Sequence, residues 1–333
     1  MEAVRPTPSD FTARHWYRLS LLSVLLYPLS LLFRLAVALR RLMFRLGLLR
    51  SLRVGVPVVV VGNLTVGGTG KTPLILALAQ ALRRSGLRPG ILSRGYRGAS
   101  ASPRAVAAGD DAEQAGDESL LLAERSQCPV WIGVDRVAAA QALRAAHPAC
   151  DVILCDDGLQ HYRLQRDFEI AVEDERGLGN GLLLPAGPLR EPADRRVDIK
   201  VVNGGTPGPG AIAMRLVPTG LYRVDDASSK LAPAELSGKR LHAVAGIGNP
   251  QRFFAELSRM GLTFTAHPFP DHHAFRAEDL VFPGCDLVLM TEKDAVKCRR
   301  FGRHDLVALR VEAEVDPALT ELILKRIHGF PPA

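Results

Sequence analysis

Residues 56–73 read V-P-V-V-V-V-G-N-L-T-V-G-G-T-G-K-T-P: a β-branched run, a glycine-rich turn and the start of a helical pattern from Leu74 to Leu82. Strand, phosphate-binding loop and helix in that order demand an α/β layer. Glycines let backbone N–H groups converge on phosphate oxygens, and the helix N-terminus adds partial positive charge. The expected nucleotide contacts are Thr65, Val66, Gly67, Gly68, Thr69, Gly70, Lys71 and Thr72. Lys71 would reach the β/γ-phosphates, and the Thr72 hydroxyl would reach Mg²⁺. Strict spacing asks for glycine five residues before Gly70, where this chain has Thr65. Lys71 is the only lysine in the first 199 residues of a chain that otherwise uses arginine for positive charge. A nucleoside triphosphate is the implied ligand.

The charge is as localised as the motif. The net charge is +7, and residues 1–53 hold nine arginines against Glu2 and Asp10, which accounts for all of it. The body is neutral, which argues against a nucleic-acid partner. Five cysteines, at 128, 150, 155, 285 and 298, form no C-x-x-C pair, and the histidines lack zinc spacing. Reduced thiols in a cytosolic compartment are expected, and neither a disulfide scaffold nor a zinc site.

The basic segment is also the most apolar. Leu19 to Phe33 is fifteen residues without a charge. As a helix it spans roughly 22 Å, short of the roughly 30 Å of a bilayer core. Pro28 would kink it, Arg34 interrupts it, and Trp16 and Tyr17 stand in front of it as interfacial aromatics do. Arg40, Arg41, Arg45, Arg50 and Arg53 follow, suited to anionic headgroups. The segment reads as a helix lying on or shallowly inserted in a membrane. A buried core helix and a single span or signal anchor are the alternatives. Export is excluded by the ATP-dependent layer that follows.

Beyond the loop, strand-length apolar runs alternate with helical patterns. Strands are expected near 56–61, 89–93, 129–132, 152–155, 168–172 and 197–202, with helices at 72–85, 118–126 and 135–147. This alternation predicts a parallel sheet with helices on both faces. Gly204 to Gly210 breaks the pattern. Two short strands (211–217 and 221–224) and a second alternating series follow. The expected organisation is a membrane-associated segment at 1–53, a P-loop NTPase-like domain at 54–205, a β-type linker at 206–236 and a smaller α/β domain at 237–330, with a nucleotide crevice between the layers.

Several polar groups stand where such a crevice would use them. Asp156 and Asp157 end the apolar run that starts at Val152, as acids that organise Mg²⁺ do in phosphate-loop proteins. Asp117 and Glu118 precede a helical run. They serve either as a helix cap or, for Asp117, as the base that phosphoryl transfer to an alcohol requires. In Asp271-His272-His273 a histidine beside a carboxylate could tune and orient it. Ser93-Arg94-Gly95-Tyr96 and Thr291-Glu292-Lys293-Asp294 each end a strand. The latter is not the guanine-selecting N-K-x-D order.

Together these pieces resemble the tetraacyldisaccharide 4'-kinases of lipid A biosynthesis. The resemblance rests on the loop at 62–73, S-R-G-Y (93–96), G-D-E (116–118), D-D-G-L-Q-H (156–161), G-N-G-L-L-L-P-A-G-P-L-R-E (179–191), D-H-H (271–273) and T-E-K-D-A-V-K (291–297), in order over nearly the whole chain. Thr65 fits that family's form of the loop. The resemblance implies ATP- and Mg²⁺-dependent phosphorylation of the 4'-hydroxyl of a tetraacylated disaccharide 1-phosphate, giving lipid IVA. It implies Asp117 as the base, His272 as its partner with His273 as the substitute, and Lys71 on the transferring phosphoryl group. Thr72, with Glu118 or Asp156 and Asp157, would organise Mg²⁺. Tyr96, His161, Asn180, Arg190 and Glu191 would line the glycolipid headgroup site, Arg190 gripping the 1-phosphate. The expected location is the cytoplasmic face of the bacterial inner membrane, with no obligate protein partner. The competing function is a membrane-associated P-loop ATPase or GTPase switch, but the lysine that precedes the two glycines of such switches is replaced by Val66.

Overall fold

The computed structural model describes residues 15–95 and 102–327. The first element is a helix, α1 (Leu21–Arg45), continuous past Pro28 and Arg34 and so longer than the charge-free run suggested. Ser20 caps it, accepting from the Ser23 N–H at 3.2 Å. Its burial pattern is inverted. Ser23 and Ser30, two turns apart, are its buried residues, and the Ser30 hydroxyl donates to the Leu183 carbonyl at 2.8 Å. Leu21, Leu25, Leu32 and Leu35 point away from the body, each more than 60% exposed.

The phosphate-loop layer follows as β1 (Val58–Gly62), α2 (Lys71–Arg84), β2 (Pro89–Ser93), β3 (Arg104–Val106), α3 (Ala112–Ala115), α4 (Asp117–Ser126), β4 (Val130–Ile132), α5 (Arg136–Ala146), β5 (Val152–Asp156), β6 (Phe168–Asp174) and β7 (Ile199–Asn203). The six expected strands are present within a residue or two. β3 is an addition: three residues pairing antiparallel with β4, too short to show a period in the sequence. Side chains of β1 alternate between two cores. Val59 and Val61 face Leu74, Leu78 and Ile170, while Val58 and Val60 face Leu143, Ile153 and Leu164. Burial on both faces is why the strand reads as an unbroken apolar run.

The second half comprises β8 (Ala211–Arg223), β9 (Lys230–Leu231), β10 (Leu241–Ala245), α6 (Pro250–Arg259), β11 (Phe264–Pro268), β12 (Leu287–Thr291), α7 (Glu292–Cys298), β13 (Leu306–Val315) and α8 (Ala318–Ile327). All strands belong to one sheet in the order β11-β10-β12-β13-β8-β7-β6-β1-β5-β2-β4-β3, with β9 beside β8. The region expected as a linker is therefore an interior strand. β8 pairs parallel with β7 and antiparallel with β13, with a register shift where Pro218 and Gly220 face Val311 and Arg310. That shift, at a residue without an N–H, is what divided the segment into two short strands in the sequence pattern. The chain then returns: Leu319, Ile323 and Ile327 of α8 pack into the core of the phosphate-loop layer.

Candidate active site

A crevice of about 460 Å³ opens over the carboxyl ends of the parallel strands and is lined from both halves of the sheet. Such ends converge at the place where helix N-termini and loops are free to hold a ligand. Gly248, from the second half, closes one side so tightly that a Cβ there would lie 3.3 Å from the Gly68 nitrogen.

The phosphate loop is held open by side chains around it. Asn63 donates to the Gly67 carbonyl (2.9 Å), Arg176 to the Gly68 carbonyl (2.8 Å) and Asn203 to the Thr69 carbonyl (3.0 Å). Gly70 has φ +95°, and a Cβ there would meet the Asn203 amide at 2.6 Å. Thr65 forms an antiparallel bridge with Leu189, and the Val66 N–H donates to the Pro188 carbonyl at 2.9 Å. A β-branched residue suits that extended pairing, which explains threonine where the general motif has glycine. Lys71 is buried at the start of α2. Its ammonium donates to Asn63 Oδ1 at 3.2 Å and lies 3.6 Å from Asp157.

Asp117 opens α4 and faces the loop across the crevice. Its two oxygens lie 3.1 and 3.0 Å from His272 Nδ1. His272 has φ +56°, and its N–H donates to the Gly246 carbonyl at 3.0 Å. This left-handed turn sends the two adjacent histidines apart: His273 pairs instead with Asp279 at 3.0 Å. Burial alone would raise the Asp117 pKa, but the His272 hydrogen bond and the Lys293 and Lys297 charges bring it down to about 2. The same hydrogen bond raises His272.

The acids expected around Mg²⁺ separate into two kinds. Asp157, at φ +48°, turns to Arg190 (2.9 Å) and Lys71 (3.6 Å). Against the opposing effect of burial, those two cations hold it at about 2. Asp156 points inward. Ser93 Oγ donates to its Oδ2 at 3.2 Å, and its buried Oδ1 has no partner among the described residues. Burial and the neighbouring Glu118 charge push Asp156 up to about 7. Glu118 would also be raised by burial, but Lys293 and Lys71 keep it ionised. Among the described residues no three His, Cys, Asp or Glu side chains form a ready metal cluster. An orphaned carboxylate oxygen beside a second carboxylate, with the Thr72 hydroxyl on the same wall, instead suits a hard cation shared with phosphate oxygens.

Of the residues expected at the headgroup, Arg190 lines the crevice. Asn180 and Glu191 do not. The Asn180 amide is spent on the Ala186 carbonyl (2.9 Å), the His15 carbonyl (3.3 Å) and the Leu182 N–H (3.1 Å), tying the N-terminal segment to the body. Glu191 is buried, accepting from the Tyr162 hydroxyl at 2.7 Å and pairing with Arg195 at 3.2 Å. His161 lies outside the crevice lining. Burial, then the charges of Arg136, Arg94 and Arg40, lower it to about 4, so it is neutral. Tyr96 lies outside the described residues. Arg136 was missed. It is 2% exposed, and its Nε and Nη2 have no hydrogen-bond partner among the described residues. The available signal was a cation in the first turn of a helix, where the dipole disfavours it.

Residues 22–328 match the family described as LpxK, tetraacyldisaccharide-1-P 4'-kinase. The chain is 49% identical to the tetraacyldisaccharide 4'-kinase of Methylobacillus flagellatus over 322 residues, 96% of each chain. It is 52% identical to that of Azoarcus sp. over 320 residues, 93% of this chain and 94% of the relative. A crystal structure of LpxK from Aquifex aeolicus in complex with ATP superposes with a TM-score of 0.79 at 29% identity, covering 92% of this chain and 100% of that one. With a family match across nearly its whole length and relatives at about half identity, the chain belongs to the tetraacyldisaccharide-1-P 4'-kinase family.

Proposed function

We propose that this protein transfers the γ-phosphate of ATP to the 4'-hydroxyl of a membrane-held tetraacyldisaccharide 1-phosphate, giving lipid IVA. The observation that carries this assignment is the Asp117–His272 pair at 3.0 Å, facing Lys71 and the phosphate loop in one crevice. A switch ATPase has no use for a carboxylate–imidazole pair aimed at the γ-phosphate side.

In this mechanism the loop N–H groups and Lys71 hold the β/γ-phosphates, while Pro73, Leu76, Leu216 and Val311 offer an apolar shelf for the base. Thr72, Asp156 and Glu118 would hold Mg²⁺. Mg²⁺ held there would offset the charge of the phosphate oxygens. Asp117 accepts a hydrogen bond from the 4'-hydroxyl. A carboxylate at about 2 is a weak base, but a loose phosphoryl-transfer transition state places little demand on early deprotonation. Asp117 therefore orients the oxygen and takes its proton late, as the new P–O bond completes. His272, hydrogen-bonded to both carboxylate oxygens, fixes the carboxylate's direction. Arg190, on the crevice lining, supplies positive charge for the substrate's 1-phosphate.

The substrate also explains α1. Exposing acyl chains to water costs roughly 0.8 kcal/mol per CH₂, so the enzyme works at the bilayer. A helix with serines turned inward and leucines outward, followed by arginines, supports a peripheral or monotopic seat on an anionic inner-membrane surface.

The test is purified protein with γ-labelled ATP and the disaccharide lipid in vesicles. Labelled lipid is expected. Labelled phosphate released to water with unlabelled lipid would overturn the kinase assignment. Asp117→Asn should lower kcat by roughly 10²–10⁴ while ATP binding persists.

A further inference from the structure

The charged side chains of α7 are not used by the mechanism above, yet they reach across the crevice. Glu292 pairs with Arg125 of α4 at 2.7 Å. Lys297 lies 2.7 Å from Asp294 and 3.8 Å from Asp117. Lys293 donates to Glu118 Oε1. The start of this helix is firmly placed. Asp294 is fully buried, accepting from the Gly246 N–H at 3.0 Å and from Thr291 Oγ1 at 2.7 Å.

Lys293 thus brings an ammonium from the second half of the sheet into a basin of carboxylates from the first. Its charge acts on Glu118, Asp117 and Asp156, and on Asp271 from its own half. A divalent cation on Glu118 and an ammonium hydrogen-bonded to Glu118 compete for the same oxygens. An ammonium displaced from Glu118 stays among the remaining carboxylates of the basin and is drawn to any further anion that enters it, because a buried charge left without a hydrogen-bonded partner is costly. The anion that arrives together with the cation is the terminal phosphoryl group of ATP.

We propose that Lys293 holds the divalent-cation position in the nucleotide-free protein and, once MgATP enters, releases Glu118 and binds the transferring phosphoryl group opposite Lys71. The two lysines then flank the charge that develops on the equatorial oxygens, one from each half of the sheet. This role rests on the kinase assignment above.

Lys293→Met and Lys293→Gln test it together. Gln keeps a hydrogen-bond donor for Glu118, and with it the α4–α7 contact, but carries no charge. Two quantities are measured: Mn²⁺ affinity of the nucleotide-free protein by titration calorimetry, and lipid phosphorylation as kcat and KM. Both variants should bind Mn²⁺ at least about tenfold more tightly, because Glu118 is no longer covered by an ammonium. Both should lose roughly 10²–10³ in kcat, with lipid KM within about threefold, as expected for a group acting on the transition state. If Gln retains near-wild-type kcat, or Mn²⁺ affinity is unchanged in both, Lys293 is an interhelical tie and the proposal fails. Wild-type protein that labels no lipid would instead overturn the kinase assignment itself.

Discussion

Asp156 and Asp157 are adjacent in sequence and opposite in environment. Asp156 is pushed up to about 7 by burial and Glu118, whereas Asp157 sits at about 2 despite its burial because Lys71 and Arg190 face it. A carboxyl whose pKa is raised on folding favours the folded state while it is protonated. For Asp156 that contribution is lost as pH rises from its unfolded value near 3.9 through about 7. Asp156→Asn should therefore stabilise the nucleotide-free protein at pH 8, on the order of 2 kcal/mol, and change little at pH 4. Thermal melts at the two pH values check this, and a lower melting temperature at pH 8 would contradict it. The proposed Mg²⁺ role of Asp156 predicts that the variant also loses activity, because an amide carries no charge for the cation. Sequence could present D-D and D-H-H only as undivided clusters. Positive φ at Asp157 and His272 decides which member faces which partner, and nothing in residue type encodes that at these positions.

At the scale of elements, α1 shows how composition and placement divide the work. Its apolar content, arginine-rich end and aromatic preface were legible, as was its suitability for a lipid surface. Which side faces the body was not, because fifteen uncharged residues carry little periodic contrast. Two serines settle it: Ser23 accepts from the Asn180 amide and Ser30 donates to the Leu183 carbonyl, leaving the leucines outward. Leu25→Glu with Leu32→Glu should weaken binding to anionic vesicles by tenfold or more while leaving the melting temperature in detergent unchanged. Ser30→Ala should do the reverse, costing about 1 kcal/mol through its lost hydrogen bond. Flotation and melting measurements on both variants separate membrane seating from packing; equal flotation of the Leu variant and wild type would dismiss the seat.

At the scale of the molecule, the two series of strands expected as separate domains share one sheet through β8, and α4 and α7 are tied across the crevice. The tie includes a largely buried pair, Arg125 with Glu292 at 2.7 Å. Arg125→Met would leave Glu292 with Arg310 at 3.6 Å and the Val311 N–H at 3.1 Å and should cost about 1–3 kcal/mol. Arg125→Met with Glu292→Met should recover most of that loss, since an apolar pair avoids the desolvation cost. Denaturant melts of the single and double variants measure the coupling; additive effects would show that the pair is not a unit.

Local rules were enough for the strand–loop–helix unit and the alternation of strands and helices. Each follows from spacing or from side-chain chemistry over a few residues, and the run of motifs carried the family with them. The tertiary structure alone decided that β8 sits inside the sheet, that Asp117 meets His272, that Asn180 and Glu191 hold the scaffold, and that Lys293 enters the acid basin. Asp117 and His272 are separated by 155 residues and Glu118 and Lys293 by 175. Contacts at that range depend on how the whole sheet is ordered, and that order is set by the summed packing of its faces rather than by any local pattern.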